Sequence, residues 1–259
     1  MSKPTTALQI SKKLALSAAI ISTGFISINA HTAGLDSLAT KAIDSPSRSA
    51  EDKARDANRK PLETLTFFQL EPNMKVLELV PGGGWYTKIL APILKDEGKL
   101  YVGVGTNRIE DSLLKQPGFE KVSVVKVESD LVRKGGPSDG TFMKFDVKDL
   151  DMVLTFRNLH NFAEGGRNAI NKASFDALKP GGLYGVIDHT RRHNEPKNSE
   201  NGRRVDPVKM IKEIESAGFE FVDFSDLHYK PTDKLELELR KEGVAGKTDR
   251  FTFLFKKPK

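Results

Sequence analysis

The chain has 259 residues, 38% of them hydrophobic with fifteen Phe and a single Trp, which is enough apolar volume for one sizeable core and one domain. Its formal charge of +6 includes Lys3, Lys12 and Lys13; the remaining 38 basic and 35 acidic residues alternate along the chain with no basic stripe, which argues against a nucleic-acid partner. The absence of Cys excludes disulfides, zinc–thiolate sites and a thiol nucleophile, and is compatible with a bacterial-type periplasm.

Lys3, Lys12 and Lys13 precede an uncharged run from Leu14 to Ile28, and Ile28-Asn29-Ala30 suits signal cleavage. Residues 1–30 therefore read as a secretory signal peptide, with export to the periplasm expected. An uncleaved anchor is the competing reading. The run is sprinkled with Ser, Thr and Gly and is shorter than the roughly 20 apolar residues that span a bilayer, so no membrane span is expected after cleavage. Residues 31–48, small and polar, are expected to form a loosely ordered leader, and 49–259 the domain.

Ser49 with Asp52 three positions on predicts a helix cap, the helix running to about Leu70 with Pro61 dividing it. After a turn at Pro72-Asn73, Val76 to Val80 reads as a buried strand carrying an acid, Glu78. Pro81-Gly82-Gly83-Gly84 then turns into a helix from Tyr86 to Leu94. Glycines let backbone N–H groups approach a ligand, and an acid at a strand end accepts hydrogen bonds from a ligand amine or hydroxyl. The plain alternative is a connection without a ligand. Trp85 either packs on the N-terminal helix or walls a substrate pocket.

Lys99 to Val104 and Val122 to Val127 read as strands separated by a short helix, Ile109 to Lys115. Asp151 to Phe156 is a continuous apolar strand, followed by the polar loop Arg157 to Asn161 and a helix near Arg167 to Leu178. Lys179-Pro180-Gly181-Gly182 turns into the strand Leu183 to Asp188. His189 to Arg204, broken by Pro196 and Gly202, reads as a mobile loop, a candidate lid whose basic residues would face an anionic substrate. A helix at Val208 to Ala217, a strand at Phe219 to Phe224 and a last, antiparallel strand at Phe251 to Phe255 complete the pattern. Asp249 and Arg250, with Lys247 nearby, are expected to form an ion pair fixing the last hairpin. Apolar strands alternating with helices predict a doubly wound α/β fold.

Glu78 to Gly84, Asp151 to Phe156 and Leu178-Lys179-Pro180-Gly181-Gly182 together resemble the class I S-adenosylmethionine-dependent methyltransferases. Pro81 to Thr87, Arg157-Asn158-Leu159-His160-Asn161, Asp188-His189 and Gly246 to Phe251 look like a bacterial family of exported predicted methyltransferases. The resemblance implies a Rossmann-like seven-stranded sheet, mostly parallel with an antiparallel last strand and helices on both faces. It also implies S-adenosyl-L-methionine as cofactor and a small molecule as substrate. Glu78 would face the cofactor's amino-acid end, with Pro81, Gly82, Gly83 and Gly84 close to methionine and ribose. Asp130, or Glu128 beside it, would meet the adenine amine. Two departures stand out: Val80 replaces the usual first glycine of the turn, and Gly103-Val104-Gly105-Thr106-Asn107 carries no acid for the ribose hydroxyls.

In an open parallel sheet, residues just after the strands converge on one crevice. Asn158, His160 and Asn161 follow one strand, and Asp188 and His189 the next. His160 or His189 is therefore a candidate general base with Asp188 as its orienting partner, and Asn158 lies beside them. In the alternative reading Asn158 and Asn161 cap the following helix and His160 packs beneath the loop. The His residues lack the helical spacing of a metal site, so no metal is expected. The functional expectation is a methyltransferase. The competing one is an exported methyltransferase-like protein with a degenerate cofactor site, serving as a binding protein or an enzyme of other chemistry. The oligomeric state is not legible.

Overall fold

The computed structural model describes residues 24–259. The expected signal peptide lies largely outside the described residues. No helix among them is long and apolar enough to cross a membrane. The first described element, α1 (Gly24–Asp44), corrects the expectation of a loose leader over 31–48. Leu35, Leu38, Ala39, Ala42 and Ile43 recur at helical spacing, and their burial in the core explains why a segment of small residues is ordered.

Ser49 caps α2 (Ala50–Lys53), its Oγ accepting from Asp52 N at 3.2 Å. The expected divided helix is three short pieces. α3 (Asp56–Arg59) ends at Lys60 in the left-handed region (φ 42), and α4 (Pro61–Phe67) starts on Pro61, whose fixed φ suits a first helical position. The strands β1 (Lys75–Leu79), β2 (Lys99–Gly103), β3 (Ser123–Val124), β6 (Leu150–Phe156), β7 (Leu178–His189), β8 (Glu220–Ser225) and β9 (Arg250–Lys256) form one sheet ordered β3-β2-β1-β6-β7-β9-β8. Between β3 and β6 a small antiparallel hairpin, β4 (Val127–Ser129) and β5 (Met143–Phe145), stands apart from it.

β1, β2, β3, β6 and β7 run parallel, and β9 lies antiparallel between β7 and β8, so the expected fold class holds. One face, with Val76, is covered by α1, α4 and α5 (Thr87–Leu94). The other, with Leu77 and Leu79, is covered by α7 (Glu164–Ala177) and α8 (Pro207–Ser216). Between β2 and β3 lie α6 (Asn107–Glu110) and a 3-10 turn, Leu113–Lys115.

The segment 189–204 is held in place rather than free. Arg204 is buried and donates to Asp233, Thr190 O and Leu237 O. Asp249 and Arg250 do not pair with each other: Asp249 accepts from Lys230 N at 2.7 Å, while Arg250 Nη1 donates to Asn58 O at 3.3 Å. The last hairpin is fixed by backbone contacts instead.

Candidate active site

The ends of β1, β2 and β6 share an unusual backbone. Val80, Val104 and Arg157, each the first residue after its strand, have φ of 51, 63 and 61. For a β-branched residue this region is strained by roughly 1–2 kcal/mol. Two such residues and Arg157, on neighbouring strand ends, mark one crevice, where strain concentrates at functional sites. Val80 thus stands in the left-handed region that glycine adopts freely. Its N donates to Gly103 O at 2.8 Å, and its carbonyl accepts from Asn158 Nδ2 at 2.9 Å.

The three glycines divide their work. Gly82 (φ +60) and Gly83 have nothing within 4 Å of where a Cβ would stand, so the space above them is open. A Cβ on Gly84 (φ +77) would meet Leu113 Cδ2 at 2.2 Å, so this glycine serves packing beneath the turn. Glu78 is 2% exposed, and Thr87 Oγ1 donates to its Oε2 at 2.6 Å. Burial pushes its carboxyl up to about 7, against the opposing effect of the Thr87 hydrogen bond.

A cavity of about 210 Å³ opens here, lined by Glu78, Pro81, Gly82, Gly83 and Asn158 together with three arginines, Arg55, Arg59 and Arg157. Its aromatic walls are Trp85, Tyr86 and Phe156, the last two stacked with ring centroids 3.5 Å apart. Trp85 is also packed against the N-terminal helices, donating from Nε1 to Asp52 O at 2.9 Å. Arg59 lies 4.3 Å over the Trp85 ring, and its carbonyl is fixed by Thr64 Oγ1 and His228 Nε2, both at 3.0 Å. Burial, then the nearby Arg157 and Arg55, push Arg59 down to about 8; burial also lowers Arg157. A guanidinium keeps its proton in proteins, so these displacements express the cost of burying the charge and of its like-charged neighbours rather than neutralisation.

At the ends of β6 and β7, His160 Nδ1 and Asp188 Oδ1 are 2.7 Å apart, and His160 N donates to Asp188 Oδ2 at 2.9 Å. A carboxylate only accepts, so Nδ1 carries a hydrogen, and in the neutral ring Nε2 is then the atom with the lone pair. His189 is a weaker candidate. Burial, then His160 and Arg250, hold its pKa well below the ordinary value, and its Nδ1 lies 2.8 Å from Thr248 Oγ1. The Asn158 side chain makes no cap hydrogen bond; it bridges Val80 O and Phe156 O. His160, Asp188 and His189 also offer ligand atoms within 4.8 Å of one another, the one group among the described residues at metal-binding distance. Asp188 Oδ1 is already engaged by His160 Nδ1 and His189 N, so hydrogen bonding accounts for the cluster.

Asp130 is not brought to this site. It is exposed in the β4–β5 hairpin and accepts from Thr141 N, Thr141 Oγ1 and Phe142 N, which hold its carboxyl below the ordinary range. Glu128 lies exposed in β4. No acid follows β2 before Ile109, and the first one beyond it, Glu110, takes a hydrogen bond from Thr106 Oγ1. Sequence reasoning also missed the cavity arginines, since Arg59 and Arg157 are 98 positions apart and meet only through the fold.

Among solved structures the chain is similar to a SAM-dependent methyltransferase from Aquifex aeolicus, at 17% identity and a TM-score of 0.55 over 87% of this chain and 97% of that one. The fold is that of the S-adenosylmethionine-dependent methyltransferases. The chain is also similar to the [4+2]-cyclase SpnF, at 16% identity and a TM-score of 0.56 over 87% of this chain and 93% of that one. Human N-acetylserotonin methyltransferase, solved in complex with SAM, matches at 16% identity and a TM-score of 0.52 over 91% of this chain and 59% of its own. No protein-family model and no curated protein matches the chain.

Proposed function

We propose that the protein is an S-adenosylmethionine-dependent methyltransferase acting on a small molecule. The observation that carries this reading is the cradle at the end of β1: a buried carboxylate, Glu78, beside two glycines whose missing side chains leave the space open. Glu78 would accept from the ammonium of the cofactor's amino-acid end, and Pro81, Gly82 and Gly83 would line its path, with Gly84 shaping the turn.

When bound, the cofactor supplies an electrophilic methyl group. The chain's part is alignment and removal of one proton from the acceptor's nucleophilic atom. His160 Nε2 takes that proton, and Asp188 steadies the imidazolium that forms. His189, kept neutral by burial, fills the space beside it, with the two rings 5.4 Å apart.

The expected N-terminal sequence supports an exported, periplasmic protein with residues 1–30 as signal peptide, which cell fractionation with N-terminal sequencing would test. A second reading, a methyltransferase-like binding protein or an enzyme of other chemistry, is favoured by Val80 in the turn and by the absence of an acid between Val104 and Ile109. The two readings separate on transfer of label. With methyl-tritiated S-adenosylmethionine and a cell extract, the protein should label small molecules, and His160→Ala should lose labelling while still binding the cofactor. Labelling that survives His160→Ala would remove the base assignment, and no labelling with any extract would favour the second reading.

A further inference from the structure

We propose that the acceptor is a small organic anion, a carboxylate or phosphate on an apolar body, held by the guanidiniums of Arg59 and Arg157. This rests on the methyltransferase reading for the anion's role as acceptor, but the anion site itself stands on geometry alone. Three arginines line one cavity of about 210 Å³, yet only Arg55 has a carboxylate partner, Asp52 at 2.6 Å. Arg59 is 6% exposed and makes no ion pair or guanidinium hydrogen bond among the described residues; Arg157 makes none either.

Buried guanidiniums left without an acid are expensive, and a fold retains them where a ligand completes the pair. After the neutral Tyr86 phenol, the acidic group that acts on Arg157 is Asp188, which is committed to His160 and His189 N. Arg250, 3% exposed beside this cluster, adds a third positive charge and leaves its Nε without a partner. Charge counting then points past the cofactor. S-adenosylmethionine carries a sulfonium, an ammonium and one carboxylate; Glu78 would offset the ammonium and the carboxylate the sulfonium, so its arrival leaves the charge of the guanidiniums uncompensated. An anionic acceptor supplies the missing counter-charge. Planar guanidiniums suit bidentate binding of a carboxylate or phosphate. Trp85, Tyr86 and Phe156 supply a wall for an apolar or aromatic body.

The competing occupant of these guanidiniums is the cofactor's own carboxylate, and the experiment has an arm for each. Wild type, Arg59→Gln and Arg157→Gly are titrated at constant ionic strength with benzoate and with inorganic phosphate, and separately with S-adenosylhomocysteine. Arg157→Gly deletes a guanidinium at a position whose φ of 61 glycine tolerates, so it is not expected to unfold the chain. The proposal expects saturable binding of at least one anion, weakened about tenfold or more in each variant, while S-adenosylhomocysteine affinity stays within about threefold of wild type. Absence of saturable anion binding to wild type overturns it. So does loss of S-adenosylhomocysteine affinity in both variants with anions competing for the same site, which gives the guanidiniums to the cofactor. Anion binding by a protein that binds no S-adenosylhomocysteine would support the anion site and contradict the methyltransferase reading alone.

Discussion

Replacing Glu78 by Gln removes one ionisation from the centre of the fold, and the structure sets the size and sign of the effect. The carboxyl is buried, and burial raises it from the ordinary 4.5 to about 7. In the unfolded chain it ionises first as pH rises, so the native state binds more protons between those limits and stability falls with pH across that window. At 1.36 kcal/mol for each pH unit, a displacement of about 2.5 corresponds to about 3 kcal/mol, fully expressed above pH 7 and absent below 4.5. Gln keeps the shape and the acceptor for Thr87 Oγ1 but carries no charge. Glu78→Gln should therefore match wild type near pH 4.5 and exceed it by about 3 kcal/mol near pH 8. Urea unfolding followed by circular dichroism at both pH values reads this difference, and groups common to both proteins cancel. A difference between the two proteins that stays constant with pH would refute the assignment of a buried, destabilised carboxylate. The same substitution should weaken S-adenosylhomocysteine binding, because the ammonium partner is gone.

The remaining expectations concern single positions. Gly83→Ala should leave thermal stability nearly unchanged and weaken cofactor binding, whereas Gly84→Ala, whose Cβ meets Leu113 at 2.2 Å, should cost about 1–3 kcal/mol by overpacking, with further strain from its φ; thermal melts beside titrations separate the two. At position 80 the usual order reverses. Val80→Gly should be more stable than Val80→Ala by about 1 kcal/mol in chemical denaturation, because only glycine is relaxed at φ 51. Burial holds His228 down to about 4, so the unfolded chain protonates first. Stability present above pH 6.5 should then be lost by about 3 kcal/mol as pH falls toward 4, and less in His228→Asn, as melts at pH 7.5 and 4.5 would show.

Most of the sheet was legible because the parallel strands are apolar throughout and end in turn residues, as Asp151 to Phe156 and Leu183 to Asp188 do. The His160–Asp188 pair was legible for the same reason, since each follows a strand in a fold whose strand ends converge. The β4–β5 hairpin was not. Its strands have three residues each, too few for a periodic signal, and missing it sent Asp130 to the cofactor when its carboxylate closes the hairpin. The helix over 24–44 was hidden by small residues whose contacts are supplied by α4 and α5. Val80 looked like a lost glycine because sequence shows the side chain and not φ; the backbone stands in the left-handed region that glycine adopts freely. Nothing in the sequence links Arg59 with Arg157, and only the folded chain brings them to the wall of one cavity.

Isothermal titration of the purified protein with S-adenosylhomocysteine bears most directly on the cradle formed by Glu78, Gly82 and Gly83. Saturable heat at one site per chain, abolished in Glu78→Ala and weakened in Gly83→Ala, is the expected result. No heat at millimolar ligand, or heat unchanged in both variants, would contradict it.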